Sequence, residues 1–291
     1  MTLDYELPVF RPPSEADSLI LQVTVGCSHN RCTFCSMYRN KRFRAKSIDQ
    51  IQAEIAEARR LVGPDVARVF LADGDAMCLS AQRLTQILEA LDQAFPRLRR
   101  VGSYANARDV LRKSPEELAE LKRRKLAILY LGLESGDDAT LAAIEKGASA
   151  AEIVEAARRA RAAGMATSVM VLVGVAGRAR SLVHARSSAE AVNRMEPTYT
   201  ALLTYTPTPD SPLSEQVARG QVELPGPLES LEEIREFVRG LSCQTYLSCN
   251  HASNHLPLQG RMPSARRRIL GLLEDALGGR IAIKPEFLRG L

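Results

Sequence analysis

The sequence contains no tryptophan, and aromatic residues make up only 5% of its 291 residues. Proteins that bind single-stranded nucleic acid usually offer aromatic side chains for base stacking, so this scarcity does not favour an RNA-binding surface. Long apolar runs are also missing, because the two longest, residues 126–133 and 165–175, are too short to span a bilayer. The first eight residues include Asp4 and Glu6 and lack the apolar core of a secretory signal. We therefore predict a cytoplasmic protein without a membrane partner.

The composition is that of a folded protein with a mild charge balance. Apolar residues make up 45% and charged residues 25%, and 39 basic against 34 acidic residues give a formal net charge of +5. These values exclude a disordered chain and a small disulfide-stabilised scaffold. Cysteines stay reduced in the cytoplasm, so the six cysteines are expected to be metal ligands, catalytic thiols or buried filler.

Strand-like and helix-like segments alternate six times between residues 19 and 241. The predicted strands cover residues 19–25, 66–72, 98–104, 126–133, 166–173 and 199–205, and the predicted helices cover 47–62, 80–95, 114–125, 150–163, 181–195 and 230–241. Strict alternation predicts an α/β fold with a parallel sheet, and the nearly continuous apolar strands indicate burial on both faces. Six such repeats fit an open doubly wound sheet or a partial barrel equally well.

The alternation ends after residue 241. Residues 244–259 are polar and predict an irregular segment, and residues 263–277 predict one further helix. We therefore divide the chain into an N-terminal segment (1–18), a core (19–241) and a C-terminal cap with one helix (242–291).

The strongest chemical signal is a C-x4-C-x2-C run formed by Cys27, Cys32 and Cys35 directly after the first predicted strand. Thiolates are soft ligands that suit zinc or iron–sulfur clusters. Three arrangements fit this run. The first is a zinc site with His29 as the fourth ligand, and the second is a ferredoxin-like cluster with Cys78 as the fourth ligand. The third is a four-iron cluster that the three cysteines hold alone, with one iron open.

Polar residues and glycines follow each of the other predicted strands. Ligands of parallel α/β sheets bind just past the carboxyl ends of the strands, so these turns and the cysteines predict one ring-shaped site. The residues concerned are Gly74 and Asp75, Asn106 and Arg108, Glu134 and Ser135, Gly174 and Gly177, and residues 206–210.

In these motifs the chain resembles the radical S-adenosylmethionine (SAM) superfamily, especially its branch of oxygen-independent coproporphyrinogen oxidases and methylthiotransferases. The resemblance covers roughly residues 19–241. It departs from the commoner pattern in one respect, because four residues rather than three separate the first two cysteines. The residues that carry it are Cys27, Cys32 and Cys35 with Phe34, the pair Gly74 and Asp75, the run from Gly132 to Gly136 followed by Lys146 and Gly147, and Gly164.

The resemblance implies a six-strand (β/α)6 partial TIM barrel with a C-terminal appendage, and it implies a [4Fe–4S] cluster and SAM as cofactors. In the superfamily, three cysteines hold the cluster, and one electron cleaves SAM to a 5′-deoxyadenosyl radical that abstracts hydrogen from a substrate. An electron donor such as flavodoxin or ferredoxin is the implied partner. The alternative is a zinc-type or ferredoxin-type metal-binding protein without SAM chemistry.

The resemblance also implies which residues contact SAM, and it assigns them to the turns that follow the strands. The predicted contacts are Phe34 and Gly174 for the adenine, Gly74 and Asp75 for the methionyl ammonium, Glu134 and Ser135 for the ribose or methionyl end, and Asn106 as a further contact.

A basic stretch just past the cysteines contains Arg39, Lys41, Arg42, Arg44 and Lys46. These cations could bind a phosphate or an RNA backbone, but the sequence favours a solvated loop in which some of the arginines pair with carboxylates. Because no separate RNA-binding domain is evident, we favour a small-molecule substrate and keep modification of RNA as the alternative.

Two histidines, His251 and His255, follow the last predicted strand four residues apart, and we predict both as catalytic candidates. On a helix they would share one face and could bind metal, and in a loop they could donate protons to a substrate. Local turn chemistry is the third reading, because asparagine and serine surround them. The remaining cysteines form no second compact motif, so no auxiliary iron–sulfur cluster is expected. No further domain of cobalamin-binding size is predicted, which argues against cobalamin-dependent methylation.

Overall fold

The computed structural model describes residues 5–290, so the first four residues of the predicted N-terminal segment and residue 291 of the predicted cap lie outside the described residues. Ten strands and ten α-helices occur within these bounds. The strands are β1 (Leu19–Leu21), β2 (Thr24–Val25), β3 (Arg44–Ala45), β4 (Arg68–Leu71), β5 (Arg100–Ala105), β6 (Leu126–Glu134), β7 (Ala166–Val173), β8 (Tyr199–Thr204), β9 (Thr245–Cys249) and β10 (Leu258–Met262). The helices are α1 (Ile48–Val62), α2 (Ala81–Ala94), α3 (Ala107–Leu111), α4 (Pro115–Arg123), α5 (Asp138–Ala143), α6 (Ala150–Ala162), α7 (Ser181–Met195), α8 (Pro212–Ala218), α9 (Pro227–Gly240) and α10 (Arg266–Leu277).

The chain forms two compact units. Within the described residues, unit 1 comprises residues 5–30, 37–131 and 158–167, and unit 2 comprises residues 31–36, 132–157 and 168–290. The strand β6 begins in unit 1 and ends in unit 2.

In unit 1, parallel strands follow one another in chain order. Leu19 of β1 is in register with Val69 of β4, and Val69 is in register with Val101 of β5, which pairs in turn with the start of β6. Val69 and Val101 are fully buried, as expected of strands covered on both faces. The helices α1 and α2 pack against each other, and α2 packs against α4.

In unit 2, β7 and β8 are parallel, with Ser168 opposite Tyr199, and β8 continues into a parallel pairing with β9. The strand β9 is antiparallel to β10, with Cys249 opposite Leu258. The helix α9 packs against both α7 and α10.

All six predicted strands occur, but the first is broken in two, and three strands were not predicted: β3, β9 and β10. Residues 19–25 split into β1 and β2, and β2 forms a separate two-stranded ribbon with β3. The prediction that residues 244–259 are irregular is wrong, because β9 lies within this segment and β10 begins there. In β9, Thr245, Leu247 and Cys249 are buried while the residues between them are partly exposed. The strand therefore has the alternating burial of a β-strand. Its buried face includes the polar residue Thr245, so a search for alternating apolar residues does not detect it.

Helix ends were predicted more reliably than this edge of the sheet. Ser47 and Ser114 begin α1 and α4 with complete capping boxes, in which the serine hydroxyl accepts a hydrogen bond from the third helical N–H. Gly164 follows α6 in the left-handed conformation, with φ of +83°. Among residues 5–290, no helix combines the length and the apolar character that crossing a membrane would require.

Glu15, in a 3₁₀ turn before β1, is fully buried in unit 1. Its carboxylate accepts hydrogen bonds from the hydroxyls of Tyr130 and Ser18, both at 2.5 Å, and pairs with the guanidinium of Arg100 at 3.0 Å. Three donors therefore share this one carboxylate as an acceptor, which replaces hydrogen bonds to water that they lose on folding.

We expect Glu15→Ala to lower the free energy of unfolding by about 3–5 kcal/mol, because it removes the buried acceptor that Ser18, Tyr130 and Arg100 share. Urea unfolding of the apoprotein, followed by circular dichroism, measures the change. Asp17→Ala is the matched control, since Asp17 also pairs with an arginine at a strand start, Arg68, but its side chain is 83% exposed. Similar losses in the two variants would contradict this account.

Candidate active site

The first part of the cysteine loop, residues 27–30, lies against the turn after β4 in unit 1. The N–H of Gly74 donates to the carbonyl of Gly26 at 3.0 Å, and Gly26 is left-handed with φ of +76°. The two turns approach so closely that a Cβ on Gly74 would lie 2.5 Å from the Cβ of Cys27. Only glycine permits this contact, so the glycine of the predicted motif is explained by close approach to a cysteine.

A buried ion pair fixes the same region. Asp73, fully buried, accepts hydrogen bonds from the backbone N–H of Gly26 at 2.7 Å and the side-chain amide of Gln22 at 2.9 Å, and it pairs with Lys41 at 3.2 Å. The ammonium of Lys41 also donates to the carbonyl oxygens of Glu6 and Pro8. The basic stretch was predicted to be a solvated loop, but Lys41 is buried and its ammonium is bound inside the protein.

Two further cations of that stretch are also paired. Arg44 contacts Glu6 at 3.0 Å, and Lys46, which is buried, contacts Glu54 at 2.6 Å. The structure thus favours ion pairs with carboxylates, rather than phosphate binding, as the role of these cations.

Asp75 is fully buried beside the cysteine loop. Its carboxylate accepts hydrogen bonds from the hydroxyl of Ser28 at 2.8 Å and from the side-chain amide of Asn106 at 2.9 Å. The same amide lies 4.0 Å from the sulfur of Cys27. Burial, followed by the neighbouring carboxylate of Asp109, raises the pKa of Asp75 well above its usual range. Four predicted residues of unit 1 therefore lie together: Cys27, Gly74, Asp75 and Asn106.

Lys113 was not predicted, yet it holds the turn that follows Asp75. It is buried, and its ammonium donates to the backbone carbonyls of Met77 at 2.6 Å, Leu79 at 2.9 Å and Asp109 at 3.2 Å. Nothing in its local sequence indicated this role, because two of the three acceptors lie more than 30 residues away.

Cys78, the fourth ligand of the ferredoxin alternative, lies in this turn and is half-buried. Burial, with the charges of Asp75 and Asp109, raises the pKa of Cys78 to about 12. Metal ligation requires the thiolate, so this environment does not favour a ligand role.

The second part of the cysteine loop, residues 31–36, belongs to unit 2. The N–H of Thr33 donates to the carbonyl of Ile144 at 2.9 Å, and its own carbonyl accepts from the N–H of Leu213 at 2.9 Å. These partners end α5 and begin α8, two short helices that the sequence did not predict. Cys32 and Cys35 share a turn in which the N–H of Cys35 donates to the carbonyl of Cys32, and the Phe34 ring between them is partly exposed.

The turn after β6 carries the second predicted motif. Glu134 is left-handed with φ of +59°, and the N–H of Ser135 donates to the carbonyl of Leu133 at 2.7 Å across it. The carboxylate of Glu134 pairs with Lys146 at 3.0 Å, directly above Gly132, where a Cβ would collide with the carboxylate. Strained backbone at a non-glycine residue is characteristic of functional turns, and this pair explains why Lys146 belongs to the motif.

Gly174, after β7, is left-handed with φ of +83°, and its N–H donates to Oε1 of Glu233 at 2.7 Å. A Cβ at this position would lie 3.3 Å from Cγ of Pro225. The positive φ favours glycine here, and a Cβ would in addition be crowded by the side chain of Pro225.

The two predicted catalytic histidines lie in the turn between β9 and β10, so the helical arrangement with a shared face does not occur. His251 is half-buried, and its Nδ1 lies 2.9 Å from the hydroxyl of Ser253. Burial, followed by the charge of Lys284, lowers the pKa of His251. His255 is buried, with Nδ1 2.9 Å from the carbonyl of Lys284 and Nε2 3.6 Å from Glu286.

Within residues 5–290, no three His, Cys, Asp or Glu side chains are already arranged as a metal site. Cys27, Cys32 and Cys35 nevertheless supply the donor set that iron–sulfur clusters use, and all three are partly exposed on one loop. The residues present therefore fit such a cluster by the chemistry of their donors.

Residues 21–180, more than half of the chain, match the family model of the radical SAM superfamily. The chain belongs to the radical SAM superfamily, which confirms the resemblance seen in its motifs. Its cofactors are those of the family, a [4Fe–4S] cluster and SAM.

One curated relative is tRNA-2-methylthio-N(6)-dimethylallyladenosine synthase from Dehalococcoides mccartyi. It is 31% identical over 145 residues, which cover 47% of this chain and 32% of that protein. The chain thus spans about a third of the length of the curated relatives it matches.

Solved structures with a similar fold include coproporphyrinogen III oxidase from Escherichia coli, a radical SAM enzyme. Its TM-score is 0.59 at 16% identity, covering 76% of this chain and 51% of that chain. The radical SAM methyltransferase TsrM from Kitasatospora setae, with tryptophan and a SAM analogue bound, has a TM-score of 0.56 at 19% identity, covering 69% and 38%. These similarities confirm the predicted α/β class of parallel strands and helices.

We expect Gly74→Ala to roughly halve the iron and sulfide bound after anaerobic reconstitution, because the added Cβ displaces the loop of Cys27. Iron and labile-sulfide analysis measures this. Gly271→Ala, in α10, is the control, since its Cβ would meet nothing within 4 Å. Equal iron in both variants and the wild type would show that the close approach does not support the cluster.

The raised pKa of Cys78 predicts an unusual pH profile of alkylation in the apoprotein. Only the thiolate reacts, so the rate with iodoacetamide should still rise about tenfold per pH unit between about pH 8.5 and 10, where an ordinary thiol approaches its plateau. Mass spectrometry of the peptide containing Cys78 follows the reaction, with glutathione as internal reference. A plateau shared with glutathione would mean that burial does not suppress ionisation.

Proposed function

We propose that this chain is a radical SAM enzyme in which Cys27, Cys32 and Cys35 hold the [4Fe–4S] cluster. Family membership supports the chemistry, and the observation that carries the residue assignment is the close approach of Gly74 to Cys27, with Asp75 bound to the adjacent Ser28. When bound, the cluster and SAM supply a one-electron cleavage to a 5′-deoxyadenosyl radical, which removes hydrogen from a substrate.

In unit 1, the proposed task of Asp75 is to receive the methionyl ammonium of SAM. Its known partners, Ser28 and Asn106, are neutral donors, and the nearby Asp109 is another carboxylate. A bound ammonium would offset the burial that raises the pKa of Asp75 and would favour the ionised form. Asn106 then orients the carboxylate and shields it from water.

In unit 2, we assign the turns after β6 and β7 to the rest of SAM. Glu134, held by Lys146, and Ser135 are proposed to contact the ribose or methionyl end, and Gly174 is proposed to let the adenine approach the backbone. The partly exposed ring of Phe34 is proposed to lie against the adenine.

We propose a small-molecule substrate. Support comes from the basic stretch, in which Lys41, Arg44 and Lys46 pair with carboxylates rather than standing ready for a phosphate backbone. His251, half-buried in the turn after β9, remains a candidate proton donor to the substrate. The contacts of His255 with Lys284 and Glu286 favour a role in anchoring the C-terminal residues.

Modification of RNA is the second candidate, because the curated relative is a tRNA-modifying synthase by name. For either substrate we propose a low-potential electron donor such as flavodoxin or ferredoxin, and a cytoplasmic setting that keeps the thiols reduced.

The central prediction concerns turnover. Reduced, reconstituted protein with SAM should bind about four irons per chain and release 5′-deoxyadenosine, and Cys32→Ala should lose both properties because a thiolate ligand is gone. Chromatography of the nucleoside products and iron analysis measure the outcome. Cys78→Ala is the matched control and should retain the cluster and the activity.

A single zinc without labile sulfide would overturn the proposal and favour the zinc alternative. Loss of iron in Cys78→Ala as well as Cys32→Ala would favour the ferredoxin-like arrangement. Stimulation of 5′-deoxyadenosine release by total tRNA, but not by a small-metabolite extract, would reverse the proposed substrate class.

A further inference from the structure

A chain of buried polar side chains in unit 2 joins the turn after β6 to the turn after β7. His184 of α7 and Glu233 of α9, each 1% exposed, form its centre. Nδ1 of His184 lies 2.8 Å from the hydroxyl of Ser135, and Nε2 lies 3.3 Å from Oε1 of Glu233. The same Oε1 accepts the backbone N–H of Gly174 at 2.7 Å.

We propose that His184 and Glu233 are positioning residues that hold the turns at Ser135 and Gly174 in one mutual arrangement for binding SAM. The inference rests on the proposed function, which assigns both turns to SAM. His184 and Glu233 lie on the helices α7 and α9 and contact the two turns at hydrogen-bonding distances. In this proposal they do not have to touch SAM themselves.

The contacts are compatible with a chain of hydrogen bonds that runs from Ser135 to Glu233. The N–H of Asp137 donates to the hydroxyl oxygen of Ser135 at 3.0 Å, and the Ser135 proton can then be donated to Nδ1 of His184. We therefore assign the His184 proton to Nε2, which faces Oε1 of Glu233 at 3.3 Å. Burial lowers the pKa of His184 to about 4, which keeps the ring neutral near pH 7 and able to accept at one nitrogen while it donates at the other.

The carboxylate of Glu233 is fully used. Oε1 takes the donors of Gly174 and His184, and Oε2 accepts from the hydroxyl of Ser181. Burial raises the pKa of Glu233 to about 7. A buried network in which every member has a partner is rigid and tolerates only one arrangement of its ends.

The network is not needed simply to join α7 and α9. These helices also share a more exposed ion pair between Arg186 and Glu236 at 2.6 Å, which touches neither turn. What His184 and Glu233 add is a connection to Ser135 and Gly174. This difference supplies a control on the same two helices.

The test compares two substitutions of Glu233. Glu233→Met keeps the volume but removes both acceptors, so the Kd for SAM of reconstituted protein should rise about tenfold as the N–H of Gly174 loses its partner. Glu233→Gln still offers an oxygen to Gly174 and an amide to Ser181, and should stay within about threefold of the wild type. Equilibrium dialysis measures the Kd, and KM for SAM should follow it while kcat changes less than about twofold.

Glu236→Met is the matched control and should bind SAM as the wild type does. Glu233→Met with a wild-type unfolding midpoint and a wild-type Kd would overturn the proposal. If that variant does not fold, His184→Phe, which keeps a flat ring without nitrogens, replaces it with the same two outcomes.

A second readout needs neither cofactor. In the apoprotein, Glu233→Met should speed hydrogen exchange at the amide of Asp137, which lies beyond the far end of the network, and Glu236→Met should not. Failure of the wild type itself to bind SAM would overturn the proposed function. Unchanged exchange at Asp137 in Glu233→Met would overturn the link between the two turns.

Discussion

The carboxylate of Asp73 is the contact on which the candidate site of unit 1 depends. One of its oxygens accepts the backbone N–H of Gly26, the amide of Gln22 and the ammonium of Lys41. Gly26 introduces the cysteine loop, and Asp73 itself immediately precedes the turn of Gly74. Because a buried charge is tolerated only with its partners in place, this one carboxylate fixes the start of the loop and the start of the turn relative to each other. The start of the cysteine loop is thus positioned by the buried ion pair of Asp73 and Lys41.

The glycines of the candidate site meet two different structural requirements. Gly74 and Gly136 are needed because another backbone or side chain comes too near, since a Cβ on Gly136 would lie 2.1 Å from the carbonyl oxygen of Ser187. Gly174 is needed mainly for its left-handed backbone, with φ of +83°. Glycines such as Gly74 and Gly136 allow a turn to contact a neighbouring segment closely. The left-handed backbone of Gly174 directs its N–H toward the buried carboxylate of Glu233. A motif read from sequence shows the glycine but does not distinguish these two requirements.

The sequence predicted what short-range signals control. Ser47 and Ser114 begin their helices where the capping pattern indicated, and the apolar runs became parallel strands. It missed β9, whose buried face includes Thr245 and whose alternation is therefore weak in hydrophobicity. It also placed Lys41 in a solvated loop, whereas Lys41 is buried against Asp73, 32 residues away in the sequence. Burial of a cation is decided by such distant partners, and one sequence read locally cannot supply them.

The two carboxylates of the sequence motifs, Glu134 and Asp75, have different electrostatic surroundings. Glu134 already has a cation, because Lys146 lies 3.0 Å away and both side chains are 12% exposed. Asp75 is bound by the neutral donors Ser28 and Asn106, and burial and a neighbouring carboxylate raise its pKa. A carboxylate whose charge is already neutralised gains little from a second cation, whereas one that lacks a directly bound cation gains both charge compensation and ionisation. If an ammonium group of SAM is recognised by a motif carboxylate, electrostatics therefore selects Asp75, and Glu134 is left to accept hydrogen bonds from neutral hydroxyls.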